Sequence, residues 1–366
     1  MDNYSQGEKS PEGESAFAFE GTWQEFAPIA FTNLLLTIVT LGIYRFWATS
    51  RERQYLWSRS RFIDERLEWS GTGLELFIGF AMAVVLILLP FFVLTQVAQA
   101  LALRGMEGIA ALISFGAFVL IFYLTGVARF RALRYRLSRT RWRGIRGGSD
   151  NQGFGYGLNY MWKTAVGFIA LGLLVPWSMA SLWNERWVKM SFGPQAFEAN
   201  LDQGKFFARY FLFYLAPFIF AVGAVAFTAV VGGAGFMAGG EDGAMIGVGL
   251  AVFGLFFLFY IVLGLIALAF YAKYYREAVE SLSWGEVEFQ FTASTRDWLV
   301  LFIVDTLLVV FTLGIGAIFL SYRHWKFFIT HMDAYGEILL DDLTQSQTAT
   351  AKHGEGLLDA FDVGAI

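Results

Sequence analysis

The sequence predicts an all-α polytopic membrane protein with internal repeats, two full copies plus a truncated third. Three observations carry this reading. The 366 residues are 56% hydrophobic and only 16% charged, with a mean hydropathy of +0.51, whereas soluble domains carry about 25% charged residues. Seven apolar runs approach the ~20 residues that a helix needs to cross a ~30 Å hydrocarbon core. The motif Leu-Gly returns at the same place in three of them.

The runs are 27–47, 74–97, 109–128, 158–183, 206–232, 246–272 and 299–322. In lipid each backbone amide must be satisfied within its own segment, so these are helices. A shift of 130 residues lays Leu41, Gly42 and Trp47 on Leu171, Gly172 and Trp177, then Trp57 on Trp187 and Phe62 on Phe192. A shift of 272 lays Thr40–Ile43 on Thr312–Ile315. Each full copy is thus a Leu-Gly segment followed by two plain spans, and the third supplies the Leu-Gly segment alone. The expected organisation is a disordered tail at 1–16, repeat 1 at 17–136, repeat 2 at 137–283, a truncated repeat 3 at 284–340, and a disordered cytoplasmic tail at 341–366.

Helix entries have their own pattern. "FAFEGTWQEF" from Phe17 aligns with "LEWSGTGLEL" from Leu67 and with "FQFTASTRDW" from Phe289. Alternating apolar residues before Gly-Thr read as a short strand and turn, and the acidic residue then falls in the first turn of the next helix, where the dipole favours a carboxylate.

"NLLLTIVTLGIYRFWATSRERQY", with the later "FEANLDQGKFF", resembles the YjgN-like family of bacterial inner-membrane proteins, a group with no assigned activity. The resemblance covers most of 17–340 and implies location and class without site residues. Members of the family it resembles usually carry Pro before the motif's Trp; Pro176 keeps it, and Phe46 stands there in the first copy.

Basic residues orient the chain. Loop 45–73 holds Arg45, Arg51, Arg53, Arg59, Arg61 and Arg66, and 129–157 holds eight Arg, whereas 98–108 has only Arg104 and 233–245 has none. The two poor connectors are expected in the periplasm. Seven full crossings would divide the basic loops between the two sides. If each Leu-Gly segment enters and returns at its Gly while 74–128 and 206–272 cross, all basic loops are cytoplasmic. Both arrangements leave the C-terminus in the cytoplasm. The acidic, polar N-terminus does not read as a cleaved signal peptide.

Catalytic motifs for phosphate loops, zinc proteases and nucleophile elbows are missing, and zero Cys removes thiolate chemistry and disulfides. Nothing implies an enzyme, a cofactor, a metal or nucleic acid. His324 and His331, seven apart, read as a solvated interfacial pair. The stretch 129–146, with Arg129, Arg131, Arg134, Arg136, Arg139, Arg141, Arg143 and Arg146, reads as a helix on the anionic inner leaflet with a stripe of Phe130, Leu133 and Leu137, or as a plain positive-inside anchor. Asn33, Lys163 and Asp305 share one repeat position inside apolar segments. Intramembrane ionisable groups point to function by default, so one reading has these three converge, with Lys163 pairing to Asp305; snorkelling to the headgroups or plain interface placement is the reading favoured over it.

Two functions follow. One is a small-solute or ion carrier or channel-like protein centred on Asn33, Lys163 and Asp305. The other is a structural or regulatory membrane protein that binds anionic lipid through 129–146 and a cytoplasmic partner through its tails.

Overall fold

The computed structural model describes residues 15–338 and 343–349. Helices dominate: α1 (Trp23–Val39), α2 (Arg45–Ser58), α3 (Gly73–Ala83), α4 (Leu89–Leu103), α5 (Glu107–Arg139), α6 (Phe154–Ile169), α7 (Val175–Trp187), α8 (Gly204–Glu280), α9 (Thr295–Phe311) and α10 (Leu320–His331). Contacts divide the chain into two units. The first holds the chain to Leu201, Val279–Thr292 and the residues from Leu301 onward; the second holds Asp202–Ala278 and Ala293–Val300.

Among the described residues three helical stretches are long and apolar enough to cross a membrane: Gly73–Leu103, Glu107–Arg139 and Gly204–Glu280. The first runs through α3 and α4 by way of a π turn at Val84–Leu88. Pro90, which follows at once, has no N–H to bond back and crowds the preceding turn, and a wider turn relieves both. Within the second unit, α8 is a helical hairpin, because Gly239 and Gly240 leave helical geometry. Its arms meet so closely below the turn that a Cβ on Gly235 would lie 2.3 Å from the Gly243 carbonyl oxygen.

The Leu-Gly segments are built differently. Each is a short helix, a tight reversal and a returning helix: α1 to α2, α6 to α7, and α9 through the 3₁₀ turn Ile315–Phe319 to α10. The entering arms have 17, 16 and 17 residues, about 25 Å at 1.5 Å per residue. The reversal rests on two successive residues with positive φ, Leu41 (52°) with Gly42 (90°), Leu171 (52°) with Gly172 (84°), and Leu313 (50°) with Gly314 (92°). Glycine accepts this conformation freely; leucine does so at a cost of about 1–2 kcal/mol. The bend forms whether Pro176 or Phe46 follows, so proline is not its cause. Phe46 instead packs at 5.1 Å against Phe80.

The expectation of an all-α chain needs correction, since among the described residues eleven short strands lie at the helix ends. They are β1 (Phe17–Phe19), β2 (Ser60–Phe62), β3 (Glu65–Arg66), β4 (Glu68–Trp69), β5 (Thr140–Trp142), β6 (Ile145–Gly148), β7 (Ser191–Phe192), β8 (Gln195–Ala199), β9 (Leu282–Trp284), β10 (Val287–Phe291) and β11 (Met332–Tyr335). All lie in the first unit. One antiparallel series runs β1-β2-β3 and a second runs from β4 to β11, each strand beside the next in sequence. Only Leu67 separates β3 from β4, and β11 lies beside β1, where the Ala16 N–H donates to Asp333 Oδ1 at 3.0 Å. The two series therefore follow one another around a ring joined through Leu67 at one place and by side-chain hydrogen bonds between the start of β1 and β11 at the other, with no ladder pairing at either join among the described residues. Two-residue reversals such as Arg143-Gly144, both with positive φ, match the twist of the strands they join.

The anticipated entry devices are present. Thr22 accepts from the Glu25 N–H and Thr72 from the Glu75 N–H, each at 3.3 Å. Ser294 and Asp297 bond reciprocally, each side chain accepting from the other's backbone N–H, a capping box.

Candidate functional site: helical hairpins on an aromatic ring

The strand ring is filled by side chains. Each strand turn is preceded by an aromatic residue, and these point inward: Phe62 and Trp142 have ring centroids 5.1 Å apart, Trp142 and Trp284 6.5 Å, and Phe192 and Trp284 5.7 Å. Phe17 stacks on Phe62 at 4.6 Å and joins Phe289. The indole N–H groups find backbone acceptors inside this cluster, Trp142 on the Phe62 carbonyl and Trp284 on the Phe192 carbonyl, both at 3.0 Å. Buried polar atoms are normally satisfied, and this pairing lets the buried centre hold two tryptophans.

The helical hairpins spring from the ring and are clasped by polar groups. Lys163 Nζ, on α6, donates to Glu185 Oε2 on α7 at 2.8 Å, and Asn159 and Lys189 donate to Glu185 Oε1 at 2.7 and 2.9 Å. Burial acts to raise the Glu185 pKa, but the hydrogen bonds from Lys163, Asn159 and Lys189 outweigh it and hold the carboxyl below its ordinary range. Asp305, on α9, accepts from Arg323 and meets His324 Nε2 at 2.7 Å, both on α10. Asn33 is buried and donates to the Ala48 carbonyl at 3.3 Å and toward Glu52 at 3.4 Å. Glu52 in turn accepts from Ser321 at 2.9 Å, which ties the first hairpin to α10.

The reading in which Asn33, Lys163 and Asp305 meet is therefore corrected. Lys163 is paired with Glu185 rather than with Asp305, and each of the three groups finds its partners on the returning helix of its own hairpin. The cause is the fold-back at Leu-Gly, which brings a polar partner 18 to 22 residues away within reach.

The arginine stretch 129–146 is also rearranged. It is not a separate leaflet helix: residues 129–139 are the last turns of α5, and the chain then turns into β5 and β6. Phe130 and Arg134 are fully buried, and the supposed lipid stripe of Leu133 and Leu137 packs against the aromatic core. Arg139 makes a bidentate bond to Glu75, at 2.9 and 3.0 Å, and Arg143 pairs with Asp64. Arg131 donates to the Gln152 carbonyl at 3.1 Å, and Arg136 is half-buried. Arg146 binds the Thr348 carbonyl. Arg129 and Arg141 remain exposed. Residues 343–349, within the stretch expected to be disordered, lie along β6 through these Arg146 and Gln345 contacts; residues 350–366, and the apolar terminus among them, lie outside the described residues. His331 Nδ1 meets the Phe327 carbonyl at 2.8 Å, so the two histidines have separate surroundings.

At the far end of each helical hairpin the exposed residues at the bend are apolar, and in the first hairpin exposed Arg45 follows at the start of α2. Leu41, Leu171 and Leu313 are 94%, 85% and 94% exposed, beside exposed Val39, Ile169 and Phe311. These three apolar tips, with the ring, are the features that composition and motif did not expose. The signal was the Leu itself, a β-branch-free apolar residue where Gly, Asn or Asp would bend the chain at less cost.

No solved structure matches the chain. Two relatives are both called inner membrane protein YjgN. The one from Escherichia coli O157:H7 is 28% identical over 131 residues, 36% of this chain and 30% of the relative. The one from Escherichia coli strain K12 is 36% identical over 64 residues, 18% of this chain and 16% of the relative. The chain thus spans less than a third of the length of these curated relatives. The apolar helices agree with the membrane location their name states. Residues 14–360 match the model of a bacterial protein family of unknown function, DUF898, and the chain belongs to that family.

Proposed function

We propose that this protein is a membrane scaffold that holds three apolar hairpin tips in the bilayer from the cytoplasmic side, and so acts on lipid packing and membrane shape rather than by carrying a solute. The observation that carries this reading is the leucine at each tip, almost wholly exposed and held at positive φ. An apolar side chain kept at such a cost in water gains on entering hydrocarbon. In this reading the spans are α3 with α4, α5, and the two arms of α8. The hairpin segments enter and return, as a unit repeated along the chain, and the ring with its arginines lies in the cytoplasm. Hairpins that enter from one side only expand that side of the bilayer. Exposed Arg129 and Arg141 add attraction to anionic lipid, and the tail offers a surface to a cytoplasmic partner.

A carrier centred on Asn33, Lys163 and Asp305 would need these groups to face a wet path, whereas each is engaged inside its own hairpin and the ring beneath is filled with aromatic side chains. The absence of cysteine makes the test direct. Single Leu41→Cys, Leu171→Cys and Leu313→Cys variants, labelled with an environment-sensitive fluorophore in proteoliposomes, are quenched by brominated acyl chains and not by aqueous iodide. Vesicles carrying the protein become smaller or tubular, and replacing the three leucines with Asp abolishes the effect. Iodide quenching, or solute flux with unchanged vesicle shape, would overturn the reading.

A further inference from the structure

β6 extends past the strand beside it. β7 pairs only with Gly147 and Gly148 of β6, so on that side of the β5–β6 turn the Gly144 carbonyl and the Arg146 N–H have no ladder partner among the described residues. An open strand edge is a template for another chain. Here a single side chain covers it. Gln345 Nε2 donates to the Gly144 carbonyl at 2.9 Å, and Gln345 Oε1 accepts from the Arg146 N–H at 3.2 Å. The carboxamide thus stands in for the peptide group of a neighbouring strand.

The residues around Gln345 are seated with it. Arg146 donates to the Thr348 carbonyl, and the Ala349 N–H donates to Asp150 Oδ1 at 3.1 Å. Glycines form the floor: a Cβ on Gly193 would lie 3.0 Å from the Thr344 carbonyl oxygen, and one on Gly148 would lie 2.3 Å from Thr348 Oγ1. Leu343 packs at the edge of the aromatic core. Residues 343–349 carry no charge and form no ladder pair of their own. Gln345 and Ala349 are exposed, where water replaces a lost hydrogen bond at little net cost. Attachment to the chain gives the segment a roughly millimolar effective concentration. The seat is therefore selective in its chemistry, and its cover is releasable.

We propose that residues 144–150 with Gly193 form a docking seat for an extended, uncharged segment of a partner protein, and that residues 343–349 close this seat in cis. The partner segment presents a Gln side chain to the β5–β6 turn and, three residues later, a backbone carbonyl to Arg146. The seat stands whether or not the hairpin tips shape the membrane.

The test uses the full-length protein in detergent and a fluorescein-labelled peptide, Leu-Thr-Gln-Ser-Gln-Thr-Ala, with binding read by fluorescence anisotropy. Gln345→Ala loosens the cover and leaves the seat intact, so it should bind the peptide about tenfold or more tighter than wild type does. A peptide with Ala in place of its first Gln should bind neither protein, and adding Arg146→Met to Gln345→Ala should abolish binding. Closure in cis is read by cross-linking. A Cβ on Gly148 would lie 3.4 Å from Thr348 Cβ, near the ~3.5–4.5 Å that a disulfide spans, and the chain has no Cys of its own. Oxidised protein carrying Gly148→Cys and Thr348→Cys should therefore be a cross-linked monomer. Peptide binding that Gln345→Ala leaves unchanged, or that survives loss of the peptide's Gln or of Arg146, would overturn the seat. Disulfide-linked dimers, or no cross-link at all, would overturn closure in cis.

Discussion

The Trp142 indole N–H donates to the Phe62 carbonyl at 3.0 Å across 80 residues of chain. With the Trp284 to Phe192 bond it locks the centre of the ring. Trp142→Phe and Trp284→Phe each leave a buried carbonyl without its donor. Each is expected to cost about 1–3 kcal/mol, read as a lower melting temperature of the detergent-purified protein, and combining them should cost more than either alone.

Lys163 and Glu185 form the second prediction. Both side chains are mostly buried, at 12% and 14% exposed. Lys163→Met leaves the Glu185 carboxylate short of a partner, and Glu185→Gln leaves the Lys163 ammonium so; each should destabilise. The double variant recovers much of the loss. By contrast, Lys163→Met and Asp305→Leu should be additive, since no contact links them. A coupling energy between Lys163 and Asp305 would contradict the hairpin clasps.

Acid should open the second hairpin. The Glu185 pKa is held below its ordinary value of 4.5. A carboxylate depressed on folding contributes stability that is fully present above the unfolded pKa and lost as the pH falls through the folded one. Stability from this group is therefore flat from neutral pH to about 4.5 and declines below it. Glu185→Gln removes that part of the acid limb in a melting series from pH 7 to pH 3.

The tips give a fourth test. Leu41→Gly, Leu171→Gly and Leu313→Gly relieve a leucine from positive φ, and each is expected to be neutral or to stabilise the detergent-solubilised protein by about 1 kcal/mol. A loss of melting temperature would mean that these leucines pack inside the protein.

How much of this could be read from the sequence follows from the length scale of each signal. The apolar runs 74–97, 109–128, 206–232 and 246–272, the three-fold return of Leu-Gly and the capping acids Glu25, Glu75 and Asp297 are local signals, and helices, reversals or caps stand at each; the runs 27–47, 158–183 and 299–322 are instead broken at Leu-Gly. The short strands at 17–19, 68–69 and 287–291 were also visible from their alternation. The remaining strands have two to five residues, too few for a period-two pattern, and their partners are far along the chain, as Phe62 is from Trp142. Lys163 was legible as a charge inside an apolar segment, but neither its burial nor its partner was. Glu185 becomes a neighbour only once the segment folds back at Leu171 and Gly172, a matter of backbone conformation that hydropathy does not register. The arginine stretch misled for a related reason: a narrow apolar stripe reads the same whether it faces lipid or an aromatic core.

The ring closes where Ala16 meets Asp333, so its first and last strands come from opposite ends of the described chain. A ribosome releases the apolar helices to the membrane long before Met332 is made. Until then β10 is an open edge, able to pair with a strand of another molecule. A chain cut short before Met332 is therefore left with that edge uncovered.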